Sequence, residues 1–118
     1  MAQRIVEKLV ELADVKQRVR SGRLPDDPES LQCYINLALC SAESVEASSE
    51  KIRILLNCAT VLLDAACDNA VALHWRIQCL DLIYRPLLAA EKLSVTATDN
   101  LRVRRFKQRF VQLTPTFF

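Results

Sequence analysis

Residues 48–93 read SSEKIRILLNCATVLLDAACDNAVALHWRIQCLDLIYRPLLAAEKL, and no glycine interrupts them. Ile52, Leu55, Ala59, Leu62 and Ala66 recur at alternating steps of three and four, the spacing of one helical face. Leu56, Leu63, Cys58, Val61 and Ala65 widen that face until only Arg53, Asn57, Thr60, Asp64 and Asp68 are left for water. A helix apolar around most of its circumference needs neighbours on several sides. The second half carries Leu73, Ile77, Leu80, Tyr84 and Leu87 on one stripe, and Trp75, Cys79 and Leu82 on another. The expectation is therefore two central, largely buried helices. Asp68 and Asn69 suit the cap between them, because a short polar side chain accepts from the unpaired amides of a first turn. Pro86 must remove one backbone hydrogen bond from the second helix and kink it. Asn57, Asp64 and Asp68 break the apolar run too early for the ~20 residues that a bilayer requires.

Outward from this stretch, the flanks also read as helices. Ile5, Leu9, Leu12, Lys16 and Val19 share a face over about Gln3 to Arg20, and Gly22 is placed to end that helix. Pro28, behind Asp27, suits a first helical position. The helix it opens runs to about Val45 and buries Leu31, Tyr34, Ile35, Ala38 and Ala42. Ser48 or Ser49 would cap the first central helix, and Thr98 or Asp99 a last one reaching about Leu113. The fold expected is all-α: one compact bundle of four to five helices forming a single domain over residues 1–118. A chain of 118 residues with one glycine and four prolines has little material for hairpins or long loops. A hydrophobic fraction of 51% is high for its size, so part of the apolar surface is expected to close against a partner or a second copy.

Chemistry is harder to find. The five cysteines stand at 33, 40, 58, 67 and 79, with no C-x-x-C pair. They read as small hydrophobes in a reducing, cytoplasmic compartment. His74 is the single histidine and has no ligand-spaced companion, so no metal is expected. Asp64 and Asp68 are one turn apart but lack a third carboxylate, and Asp81 and Arg85 are spaced for an ion pair. One glycine excludes phosphate loops and dinucleotide fingerprints. No acid–base pair or cofactor loop stands out, so neither an enzyme, a cofactor nor a small-molecule substrate is expected.

The most informative surface is the last helix. Val103, Phe106, Phe110 and Leu113 form its apolar stripe, and Arg102, Arg105 and Arg109 share the adjacent strip. Guanidinium forks so arranged suit phosphates or carboxylates. The plainer reading is solvated surface that complements the helix dipole. Phe117 and Phe118 either pack back onto the bundle or present an aromatic anchor to another chain. The leading expectation is an interaction module, a small regulatory, adaptor or chaperone-like protein that binds another protein or itself as a homodimer. The alternative is a nucleic-acid-binding regulator that uses the basic last helix. Arg102, Arg105, Arg109, Phe117 and Phe118 are the expected partner-binding residues.

Overall fold

A computed structural model of the chain describes residues 13–22 and 28–117, with only the backbone of Pro28 and Phe117. Every regular element among the described residues is a helix: α1 over residues 13–21, α2 Pro28–Ser44, α3 Ser48–Ala66, α4 Leu73–Leu82, α5 Tyr84–Leu93 and α6 Ala97–Phe117. Helix α3 lies at the centre and packs against α2, α4, α5 and α6. The start expected for the first helix, with Ile5, Leu9 and Leu12, lies outside the described residues, as do Asp27 and Phe118.

The centre forms as its pattern dictates. Ile52, Leu55, Cys58, Ala59, Leu62, Leu63, Ala65 and Ala66 are all buried, while Arg53 and Asn57 face water. Each fully buried leucine or isoleucine contributes roughly 1.5–3 kcal/mol of transfer free energy, which offsets the cost of ordering the helix. Helix α2 lays Leu31, Tyr34, Ile35, Ala38 and Ala42 into the same core. The Tyr34 hydroxyl finds a partner in the Cys58 thiol, and burial pushes the pKa of both groups up.

The two central segments are separated at Asp68, but not by capping. Asp68 accepts instead from the amide of Ala70 at 2.9 Å and from Arg20 at 2.8 Å, and the Val71 amide returns to the Asp68 carbonyl at 3.0 Å. Asp68 is thus the corner of a tight turn, and α4 opens after Ala72 without a side-chain cap. At the next helix start Ala47 precedes α3, so Ser48 and Ser49 lie inside its first turn. The last helix begins two to three residues earlier than expected, at Ala97. Thr96, not Thr98 or Asp99, supplies the cap, its hydroxyl accepting from the Asp99 amide at 3.1 Å.

The second segment differs most from its sequence reading. It divides at Ile83 into α4 and α5, which places Pro86 in the first turn of α5, where a missing amide costs little. Its buried stripe is Trp75, Cys79, Ile83, Leu87 and Ala90. Leu73, Ile77 and Tyr84, expected in the core, are 57%, 42% and 50% exposed, and α3 is the helix covered by four others. The reason lies in what the two faces of α4 can reach. The Trp75 indole donates to the carbonyl of Val19 at 3.0 Å, and the buried Arg76 Nε donates to the carbonyl of Ala66 at 2.8 Å. The second bond satisfies one of the orphan carbonyls at the end of α3. With these partners on one face, the opposite face turns outward.

Gly22 closes the same corner. It ends α1 at φ +58, its amide returning to the Arg18 carbonyl at 3.0 Å. A Cβ there would sit 2.7 Å from Val71 Cγ1 and 3.1 Å from Trp75 Cδ1. Gly22→Ala is therefore expected to destabilise the fold by about 1–3 kcal/mol, from left-handed strain and the clash together. Urea unfolding with an unchanged m-value measures this, and Ser21→Ala, at an ordinary helical position, serves as control.

The Arg20 hydrogen bond, assisted by the Ala70 amide, holds the Asp68 carboxyl below the usual carboxylate range. Because its pKa is lowered on folding, the stabilisation is complete above the unfolded value of about 3.9 and is lost as pH falls through the lowered one. Acid titration of unfolding is expected to show a smaller stability loss as the pH falls below about 4 in Asp68→Asn than in the parent.

Candidate interaction surfaces

Helix α6 was expected to offer Arg102, Arg105 and Arg109 as one strip. The fold uses two of them internally. Arg102 donates to the carbonyl of Ser49 at 3.2 Å and meets Asp99 at 3.5 Å. Arg109 pairs with Asp64 of α3 at 2.8 Å, and Lys107 pairs with Glu91 of α5. These contacts complement the buried Val103 and Phe106, which seat α6 on the core. Arg104 and Arg105 are exposed, with no ion pair among the described residues. The Phe117 side chain and all of Phe118 lie outside what is described.

A second surface was not anticipated. Leu73, Ile77, Tyr84 and Leu88 lie at steps of four, seven and four, and Leu88 is 51% exposed. Ile83 keeps helical dihedrals (φ -60, ψ -27) between the two helices, so the face of α4 runs on into α5. Tyr84 is held edge-on to Phe110 of α6, with ring centroids 5.8 Å apart at 71°. That contact adds a fixed aromatic to the stripe, in the geometry that favours aromatic pairs. His74 and Asp81, both exposed, flank it. A signal for this surface was present in the sequence. Leu73 and Ile77 stand two positions from Trp75 and Cys79, which is roughly 200° around a helix. A short helix with apolar residues on opposite faces cannot bury both against one neighbour.

Reactive chemistry is not concentrated anywhere among the described residues. Burial raises the Cys58 and Cys79 thiols to about 12, so both are protonated at neutral pH. Burial also raises Cys67, with the nearby Asp64 carboxylate adding to the effect. Cys33 and Cys40 are exposed on α2. Asp64 and Asp68, one turn apart, each carry an arginine. Arg85 turns away from Asp81 to reach Gln32 at 2.7 Å and Asn36 at 3.1 Å on α2, so the expected pair with Asp81 gives way to an interhelical clamp. Among the described residues no three His, Cys, Asp or Glu side chains cluster to hold a metal ion. Nor is any described helix long and apolar enough to cross a membrane.

No known protein family matches the sequence, and no curated protein or solved structure shows detectable similarity to it.

The Asp64–Arg109 pair is half-exposed on both sides, so it orients α6 more than it stabilises it. A double-mutant cycle with Asp64→Asn and Arg109→Gln is expected to give a coupling below about 1 kcal/mol. The coupling should shrink further between low and high salt.

Proposed function

We propose that this protein is an interaction module of regulatory, adaptor or chaperone-like type, and that it binds a protein partner through the outward face of α4 and α5. The observation that carries this reading is the exposed row Leu73, Ile77, Tyr84 and Leu88. Single exposed hydrophobics are ordinary, but a continuous row along one helical face is the geometry of a helix-on-helix contact. A few anchors near the middle of such a patch, tyrosine prominent among them, supply most of the binding energy in protein interfaces, and Tyr84 stands at that place in this row. A second copy of the chain is one candidate partner, since one apolar face can pair with itself about a two-fold axis. A reducing, cytoplasmic setting agrees with the free cysteines.

The nucleic-acid alternative has less support. Of the three arginines it would use, Arg102 and Arg109 are bonded within the protein, leaving Arg105 with neighbouring Arg104 to meet phosphate. Binding of that kind would weaken steeply with salt, whereas contact through the α4–α5 face would change little.

Sedimentation of the parent protein and of Ile77→Glu and Leu88→Glu tests the proposal. Both variants are expected to keep their helix content and to change stability by no more than about 0.5 kcal/mol, as surface substitutions do. If the partner is a second copy, the parent sediments as a dimer and the variants as monomers. If the partner is another protein, the parent is a monomer and retains proteins on an affinity column that the variants lose. A monomeric parent whose retained proteins are unchanged in both variants would overturn the reading.

A further inference from the structure

Apart from the α4–α5 face, the molecule has a cleft of about 340 Å³ where the last turns of α2, the first turns of α3 and the end of α5 meet. Its lining divides by chemistry. Leu39, Ala42, Leu55, Ala89 and Leu93 are apolar, and Glu43, Lys51 and Lys92 are charged. Ala42 and Leu55 are buried at 4% and 1% exposure, so the floor is packed, while Leu39, Ala89 and Leu93 remain half-open to water. The space exists because α2 and α5 each bring an alanine to it, Ala42 and Ala89, where longer side chains would fill the gap. A volume of this size is at the small end of the ~300–1,000 Å³ typical of ligand pockets.

The charges narrow the occupant. Neither Lys51, Lys92 nor Glu43 has an ion pair among the described residues, although their sequence neighbours Glu50, Arg53 and Glu91 are all paired. Two ammonium groups and one carboxylate leave the cleft with a net charge of one positive unit. That matches a single carboxylate better than a dianion, which Glu43 would repel. An aliphatic tail would cover the half-open Leu39, Ala89 and Leu93 and gain the transfer free energy that they now lack.

We propose that this cleft binds a small monocarboxylate with an aliphatic tail, the tail lying against Leu39, Leu55, Ala89 and Leu93 and the carboxylate held by Lys51 and Lys92. The site is independent of the α4–α5 face, so either can fail without the other.

Octanoate is the probe, titrated into the isotopically labelled protein at neutral pH and followed by amide chemical shifts. Octanol and suberate, the dicarboxylate of the same chain length, are titrated in parallel. Saturable shifts are expected at Leu39, Ala42, Leu55, Ala89 and Leu93, with octanoate bound roughly tenfold more tightly than octanol, the scale of one charge-assisted hydrogen bond. Suberate should bind more weakly than octanoate, because its second carboxylate would have to be buried on the apolar floor. The double variant Lys51→Gln, Lys92→Gln should remove octanoate's advantage over octanol while leaving octanol unaffected. Ala89→Met, which occupies the cleft without adding charge, should abolish both. Should Ala89→Met fail to fold, the lysine variant alone decides, since both of its changes lie on the cleft's solvent side. Equal binding of octanoate and octanol by the parent, shifts confined to the Leu73–Leu88 row, or no saturation would each overturn the proposal.

Discussion

The rest of this structure depends on the burial of α3. A helix with Ile52, Leu55, Leu62 and Leu63 essentially inaccessible to water has to be covered from several directions at once, and α2, α4, α5 and α6 each take a side. The covering helices need only one apolar face apiece, which is why they tolerate so much charge elsewhere. The same arrangement takes in the thiols of Cys58 and Cys79, which are buried in the core.

One corner makes that packing specific. At the end of α3 the chain must turn sharply, satisfy the last carbonyls and receive α1. Arg76 reaches the Ala66 carbonyl, Asp68 holds both its own turn and Arg20, and Trp75 bonds the Val19 carbonyl. Gly22 gives up its side chain so that Val71 and Trp75 can approach. Each contact is modest, but together they decide which face of α4 points inward. The stripe left outside is the main support for reading the molecule as a binding module. Because the outward row follows from inward hydrogen bonds, the surface and the core have one cause.

The basic helix shows how a charge pattern changes meaning once partners are known. Five basic residues from Arg102 to Arg109 resemble an anion-binding strip when read along one helix. In the fold, Asp64, Glu91 and Asp99 take three of those cations. Asp64 on α3 and Glu91 on α5 thereby turn part of an apparent binding surface into the attachment of α6. Such pairs are individually weak, and their service is to set the position of a helix whose apolar stripe supplies the stabilisation.

Local pattern determined a good deal here. The scarcity of glycine, the three-and-four spacing from Ile52 to Ala66, and the stripes of α2 and α6 required an all-helical protein with a buried centre. Gly22 and Pro28 marked boundaries that the structure keeps. These features depend on a residue and its neighbours within a turn or two, and so they are legible in a linear chain. Tertiary structure alone decided which stripe of α4 is buried, which arginines remain free, and that a cleft opens between α2, α3 and α5. Each of those outcomes turns on a partner far away in sequence, such as the Val19 carbonyl 56 positions from Trp75 or the Asp64 carboxylate 45 positions from Arg109. Helical periodicity says that two residues share a face; it does not say what that face will meet.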